Sequence, residues 1–408
     1  MKFTNVTNKL SEILSENFSE IPIIVDYIKY YSNFNVSNVL LVTDEKLEND
    51  LRVIHQIYAL SMLTDNITVI EVVPKNDYGD SEKSKINHIL NRMLFHNLWL
   101  LPKFVYITNK FNTKLPIRLK AKQGIYNDHS HFINRKIDTS KFSLVITNNL
   151  ISVNAVEFNT NSSYVYDIHE FELFRNRVKQ SLLRSFYIYI RERRIFKTDI
   201  NLVTISKNNA DILSDIYKLD KNKIECIYNR NFRKHAPDNS LAKLAQVLLI
   251  YIGAINMDRG LNDIVNLSKN YKVLVIGCTH NQDALDFLLD SCNCENLDVF
   301  LGMEYEDYLL DKINKYEFCY SLILINPRNP SYRNALPNKF FQAQAVGLPI
   351  IVYADTYLAS IVKLYSCGLI YEAMDKFGEK GLNSKERYLI MQKAMQYDIE
   401  IAINHNIL

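Results

Sequence analysis

The chain has 408 residues, 48% of them apolar, and a formal net charge of +3. That length exceeds what a single hydrophobic core usually organises, so two domains are expected. The small net charge gives no ground for nucleic-acid binding, and the apolar content excludes a largely disordered chain.

Residues 1–36 read as a helical preface without a motif, and "MKFTNVTNKLSEILSENF" lacks the apolar centre of a signal peptide. From there, short β-branched runs alternate with helical patterns. In the first half the runs are 39–43, 67–73, 104–108, 144–148, 164–169, 202–206 and 224–229. In the second half they are 247–253, 272–277, 298–302, 318–325, 349–353 and 368–371. Their continuous apolar character predicts strands buried on both faces, hence two parallel sheets with crossover helices. "ILNRMLFHNLWLLPKFVYIT" (89–108) is the most apolar long segment, but Arg92, His96, Asn97, Pro102 and Lys103 interrupt it, so it is not read as a membrane span. "NRNFRKHAPDNSLAKLAQ" (229–246) is polar and breaks the series. The expected organisation is a preface at 1–36, a first Rossmann-like domain at 37–235 and a linker at 236–246. A second Rossmann-like domain follows at 247–390, and a C-terminal helix at 391–408 either stays with it or crosses back.

In open parallel sheets, ligands bind beyond the carboxyl ends of the strands. Residues directly after strands are therefore the candidates. "ALPNKFFQAQAVGLPIIV" (335–352) opens a helix at Pro337, expected at the first helical position, with the amide of Asn338 and the charge of Lys339 beside it. This is either an anion site or an ordinary helix start with a solvated lysine. "YIGAINMDRGLNDIV" puts Gly253 at a strand end and Arg259-Gly260 before a helix, and two such starts suit a diphosphate. No GxGxxG occurs. In the first half, "YVYDIHEFE" places Asp167, His169 and Glu170 after a strand, either a catalytic or sugar-binding cluster or a packed loop histidine. Six cysteines are present without a CxxC pair, so they read as reduced thiols of a cytosolic protein. Cys292 and Cys294 with His280 match no zinc spacing, and no metal site is expected.

These stretches together resemble the GT-B glycosyltransferases, most closely the retaining family 4. "NDLRVIHQIYALSMLTDNITVIEVVP" is similar to the family's Asp-x-Arg-Val pattern, here Asp50, Arg52 and Val53. "FSLVITNNL" places Asn148 and Asn149 where the family has a strand-end loop, and "YVYDIHE" resembles its Tyr-Asp-x-His-Glu. "LIYIGAINMDRGL" and "LPNKFFQAQAVGLPII" resemble its glycine loop and its Pro-Asn-Lys signature. "DVFLGMEYEDYLLDKI" is similar to the strand before the base-binding turn, where Met303 stands.

The resemblance implies two Rossmann-like domains facing an interdomain cleft. The second would bind a UDP- or GDP-sugar and the first an acceptor, a glycan or a polyprenyl-diphosphate-linked one. Arg259 and Lys339 would neutralise the diphosphate, and His169 would lie near the transferred sugar. Gly253, Gly260, Met303, Asn334, Asn338 and Gln342 would complete the donor site, with Asn148, Asn149, Asp167 and Glu170 on the acceptor side. Neither cofactor nor metal is implied beyond the sugar nucleotide, and transfer would proceed with retention in bacterial cell-surface polysaccharide biosynthesis. Two departures stand out. The family's two acids fall at Asn334 and Gln342, and the second normally holds the ribose hydroxyls. Ala254 also stands where a second basic residue is common. An inactive transferase-like subunit that binds a partner or glycan is therefore the alternative. A sugar-nucleotide epimerase finds no matching set of acids and histidine.

Two basic stretches complete the reading. Lys103–Lys136 has eight Lys and Arg against Asp128, and Arg175–Lys197 has eight against Glu192. The second carries Leu182, Leu183, Phe186 and Ile190 at helical spacing. Either these are solvated faces, or they dock peripherally on an anionic membrane at the cytoplasmic face.

Overall fold

The computed structural model describes residues 21–44, 50–74, 104–111, 136–174, 182–230, 243–278, 281–291, 295–301, 306–373 and 382–396. Met303, the Cys292–Cys294 pair with His280, residues 112–135 of the first basic stretch and residues 175–181 of the second lie outside them. The chain divides into two units, Met1–Asn231 and Phe232–Leu408.

The first unit runs α1 (Pro22–Tyr31), β1 (Val39–Thr43), α2 (Leu51–Ser61), β2 (Ile67–Pro74), β3 (Phe104–Phe111), β4 (Leu144–Asn148), α3 (Asn149–Ala155), β5 (Ser163–Ile168), α4 (Leu182–Ile195), β6 (Asn201–Thr204), α5 (Lys207–Tyr217) and β7 (Ile224–Cys226). The sheet order is β3-β2-β1-β4-β5-β6-β7, and every pairing is parallel. Strand β1 shows why the apolar runs are continuous. Val39 and Leu41 enter a core with Tyr27, Tyr31 and Ile57, while Leu40 and Val42 enter the opposite one with Val145 and Tyr164. Each such side chain contributes about 1.5–3 kcal/mol by leaving water. Helix α1 thus belongs to this unit's core, although it lies within the expected preface.

The second unit runs β8 (Leu244–Ile252), α6 (Leu261–Leu267), β9 (Lys272–Gly277), α7 (Gln282–Ser291), β10 (Leu297–Leu301), α8 (Glu306–Lys315), β11 (Tyr316–Ile323), α9 (Pro330–Arg333), α10 (Asn338–Ala345), β12 (Ile350–Val352), α11 (Tyr357–Tyr365), β13 (Gly368–Ile370) and α12 (Lys385–Gln396). Its sheet order is β10-β9-β8-β11-β12-β13, again parallel in every pairing. Strand β8 starts at Leu244, so the end of the expected linker pairs as strand. Helix α12 stays with this unit through Gln396: Tyr388 and Met391 lie in its core, and the Tyr388 hydroxyl accepts from the Cys319 amide.

Each sheet changes direction once. The chain steps from β1 outward through β2 and β3, then returns to place β4 on the other side of β1. The second sheet does the same at β8 and β11. A crevice forms beyond the carboxyl ends at such a switch point. In the first unit those ends are Asp44 and Asn148; in the second they are Gly253 and Leu324.

The basic stretch at 175–197 is corrected in one respect. The buried face of α4 is Ile188, Glu192 and Ile195, whereas Phe186 is 65% exposed. Glu192 lies in the core because it accepts a hydrogen bond from the Tyr217 hydroxyl.

Candidate functional site

In the second unit the candidates converge on the β8 end. Gly253 has φ 132°, outside the range that side chains favour. A Cβ there would stand 2.5 Å from Lys339 Cε. The lysine fills the space that the glycine leaves. Its Nζ lies 3.7 Å from the centre of the Tyr251 ring. Lys339 is 8% exposed, and its ammonium has no hydrogen-bond partner among the described residues. Burial, and then the nearby charge of Arg259, push its pKa well below the ordinary lysine value.

Arg259 ends a 3-10 turn at Met257–Arg259 and lies over the Tyr332 ring at 5.7 Å. Gly260 follows with φ 70° and caps α6. A Cβ there would meet Leu324 Cβ at 2.6 Å and its carbonyl oxygen at 2.8 Å, so a glycine brings this corner against β11. The corner is anchored from below: Asp263 of α6 accepts from the Tyr353 hydroxyl and from Tyr371 at 3.1 Å.

Pro337 stands one position earlier than expected. With ψ 158° it is the N-cap of α10, and Asn338 is the first helical residue. The amide of Phe340 closes onto the Pro337 carbonyl at 2.9 Å. Asn338 is exposed. Gln342 is 6% exposed, one turn inside the helix. Asn334 ends α9, with its side-chain amide donating to the Pro330 carbonyl at 2.9 Å.

The first unit gathers its candidates at the ends of β4 and β5. Asn149 has φ 65°, a left-handed conformation that asparagine tolerates better than most residues. This turns its side chain to accept from the His169 amide at 3.1 Å and to donate to Asp44 at 3.1 Å. His169 Nε2 lies 2.9 Å from Asn148 Oδ1, and Nδ1 lies 3.4 Å from Asp50 Oδ2. Burial opposes a charge on this ring, but the carboxylates of Asp50 and Asp167 overcome it and raise its pKa above the ordinary value. Glu170 is exposed.

Asp167 is fully buried beneath this loop. Arg52 grips it with Nη2 at 2.9 Å and Nε at 3.1 Å. Tyr27 and Gln56 also donate to it, each at 2.6 Å. The remaining Arg52 nitrogen reaches the Ile227 carbonyl and Asn229, both at 2.7 Å. Asp167 therefore supports the His169 loop from inside. Residue spacing did not point to Asp50 as a partner of His169, or to Tyr251 as the lysine's platform. The only sequence signal for the former was the Asp-x-Arg-Val stretch.

Among the described residues, no group of three or more His, Cys, Asp and Glu is arranged to hold a metal. No described helix is long and apolar enough to cross a membrane.

No family model matches the chain, and no curated protein matches it by sequence. Solved structures do. The chain is similar to WaaG, a glycosyltransferase involved in lipopolysaccharide biosynthesis, at 12% identity and a TM-score of 0.52, over 90% of this chain and 98% of that one. It also matches the catalytic domain of starch synthase IV from Arabidopsis thaliana, bound to ADP and acarbose, at 9% identity, over 91% and 98% of the two chains, with a TM-score of 0.47. UDP-GlcNAc 2-epimerase from Neisseria meningitidis matches at 11% identity, over 90% and 100%, with a TM-score of 0.45. The WaaG likeness spans both units, and with the two wholly parallel sheets it gives this chain the GT-B fold of two Rossmann-like domains.

Proposed function

We propose that this chain is a glycosyltransferase that moves a sugar from a nucleoside-diphospho-sugar to a glycan or lipid-linked acceptor, with retention. The observation that carries the reading is Lys339: a buried ammonium without a hydrogen-bond partner among the described residues, resting on Tyr251, with Arg259 close enough to depress its pKa. Buried polar groups are nearly always paired, and two cations gain nothing from each other's company. An anion between them resolves both problems. A diphosphate has the charge for two cations, and Gly253 leaves the room through which the Lys339 side chain reaches the β8 end. As the sugar leaves, negative charge grows on the diphosphate, and cations held in a low-dielectric site stabilise it most at that moment. No metal is then required for this task.

The family 4 resemblance supports a UDP- or GDP-sugar as donor and a role in cell-surface polysaccharide assembly. By the same resemblance, the departing phosphate takes the acceptor's proton. The resemblance also gives His169, with Asn148 and Asn149, a role at the sugar rather than at the nucleotide. A second reading rests on Gln342. An amide there accepts from ribose hydroxyls less strongly than the family's carboxylate, which favours a subunit that binds a sugar nucleotide or glycan without turning it over.

One experiment separates the readings. Wild-type protein is screened with nucleoside diphosphates and sugar nucleotides by thermal shift and by release of free nucleotide. A shift accompanied by release supports the transferase, and a shift alone supports the binding subunit. If no diphosphate shifts the transition, the donor-site assignment fails.

A further inference from the structure

We propose that Asp50 is a positioning residue that holds the His169 ring doubly protonated, so that His169 serves as a fixed positive charge and has no lone pair with which to act as a base. The protonation state follows from geometry. Asn148 Nδ2 donates to the Val42 carbonyl at 3.4 Å. The reverse amide orientation would set two carbonyl oxygens against each other. Asn148 therefore presents its oxygen to Nε2, 2.9 Å away, and that nitrogen must carry the hydrogen.

The other nitrogen is constrained independently. Asp50 Oδ1 accepts from the Val53 amide at 3.2 Å as the N-cap of α2. Its Oδ2 is buried, has no hydrogen-bond partner among the described residues, and lies 3.4 Å from Nδ1. A bare Nδ1 would set a lone pair against a buried carboxylate. A protonated Nδ1 gives that oxygen its only close positive partner among the described residues.

Charge balance agrees. The groups facing the ring are Asp50 and Arg52 from α2, Asp167 from β5, and Asn148 and Asn149 from the β4 corner. Asp44 lies behind Asn149, Tyr27 of α1 behind Asp167, and Glu170 and Glu172 follow in the loop. Arg52 neutralises Asp167 through two hydrogen bonds. That leaves Asp50 buried with one negative charge, and the imidazolium is its first positive partner among the described residues, ahead of Arg52. The consequence for the reaction rests on the transferase reading, whereas the protonation state does not. If His169 cannot accept a proton, deprotonation of the acceptor falls to the donor's leaving phosphate or to solvent.

The test is nitrogen-15 NMR of the histidine rings in the full chain, with His169→Asn assigning the signal. Asp50→Asn is the companion variant, because asparagine caps a helix as well as aspartate does and removes only the charge. The expected result is a wild-type His169 with both nitrogens protonated at a pH above the ordinary imidazole midpoint of about 6.5. In Asp50→Asn its titration should move to lower pH. The wild-type pH profile of kcat/KM should show no rise as pH passes up through the ordinary imidazole range. A single unprotonated ring nitrogen in wild type at neutral pH overturns the proposal, as does a titration unmoved in Asp50→Asn. So does an activity that rises with His169 deprotonation. Absence of turnover with every sugar nucleotide would remove the transferase reading while the NMR result still decides the protonation state.

Discussion

Replacing Lys339 with methionine should make the protein more stable and disable its donor site. Methionine keeps the length of the side chain over Tyr251 and removes the buried ammonium. Two effects oppose each other. The contact with Tyr251 at 3.7 Å is a desolvated cation–π pair, worth about 2 kcal/mol. Against it stands a buried charge without a hydrogen bond, whose penalty is several kcal/mol. The penalty wins, because the ammonium's pKa is depressed well below its ordinary value of 10.5. A net gain of roughly 1–3 kcal/mol is expected on substitution. The pH dependence has a definite sign. A folded-state pKa below the unfolded one makes stability present above the unfolded value and lost as pH falls through the depressed one. The Lys339 contribution to wild-type stability should therefore climb toward alkaline pH, and Lys339→Met should remove that part of the pH dependence. Urea denaturation of the two proteins at neutral and alkaline pH measures this, and thermal shift with a nucleoside diphosphate measures binding. In wild type, diphosphate binding should also take up protons as the ammonium regains its partner, visible as a buffer-dependent heat in calorimetry. A Lys339→Met protein that is less stable than wild type and still responds to diphosphate would refute both the burial argument and the assigned site.

Gly253→Ala should weaken diphosphate binding and destabilise the fold by about 1–3 kcal/mol, because φ 132° strains any side chain and the new Cβ would displace Lys339; unchanged affinity would separate Gly253 from the donor site. Gln342→Glu should tighten sugar-nucleotide binding in a titration if the ribose hydroxyls lie against it, and a loss of affinity would place them elsewhere. Glu192, pushed up to about 8 from 4.5 by burial despite the Tyr217 hydrogen bond, contributes stability below pH 4.5 that is lost as pH rises to about 8. At about 1.4 kcal/mol per unit the ceiling is roughly 5 kcal/mol. Glu192→Gln should flatten that fall, and identical slopes in both proteins would show that Glu192 is ionised in the fold. Charge reversal at the exposed Arg193 and Arg194 should abolish sedimentation with anionic vesicles at low salt, each cation contributing about 1 kcal/mol; wild-type protein that does not sediment would leave α4 as a solvated face.

The β-branched runs were legible in order because the central strands, buried on both faces, are apolar at consecutive positions, a property any short window reveals; the edge strands β7 and β10 are only partly covered. The two-unit organisation followed from their count and from the polar stretch before Val247. Gly253, Arg259 and Lys339 were legible as candidates because a parallel sheet delivers ligand groups just after its strands. The exposed face of α4 was misread for an equally local reason: Glu192 occupies a core position, and a charged residue there hides the true period until its partner Tyr217 is known. What tertiary structure alone decided are the pairs. Lys339 over Tyr251, Asp50 against His169 and Arg52 clasping Asp167 join residues far apart in the chain. Their charges are shifted only because folding removes water from between them and leaves each group with few neighbours to answer it. A sequence records which residues are present; whether a lysine is solvated or stranded over a tyrosine ring depends on what the fold excludes around it.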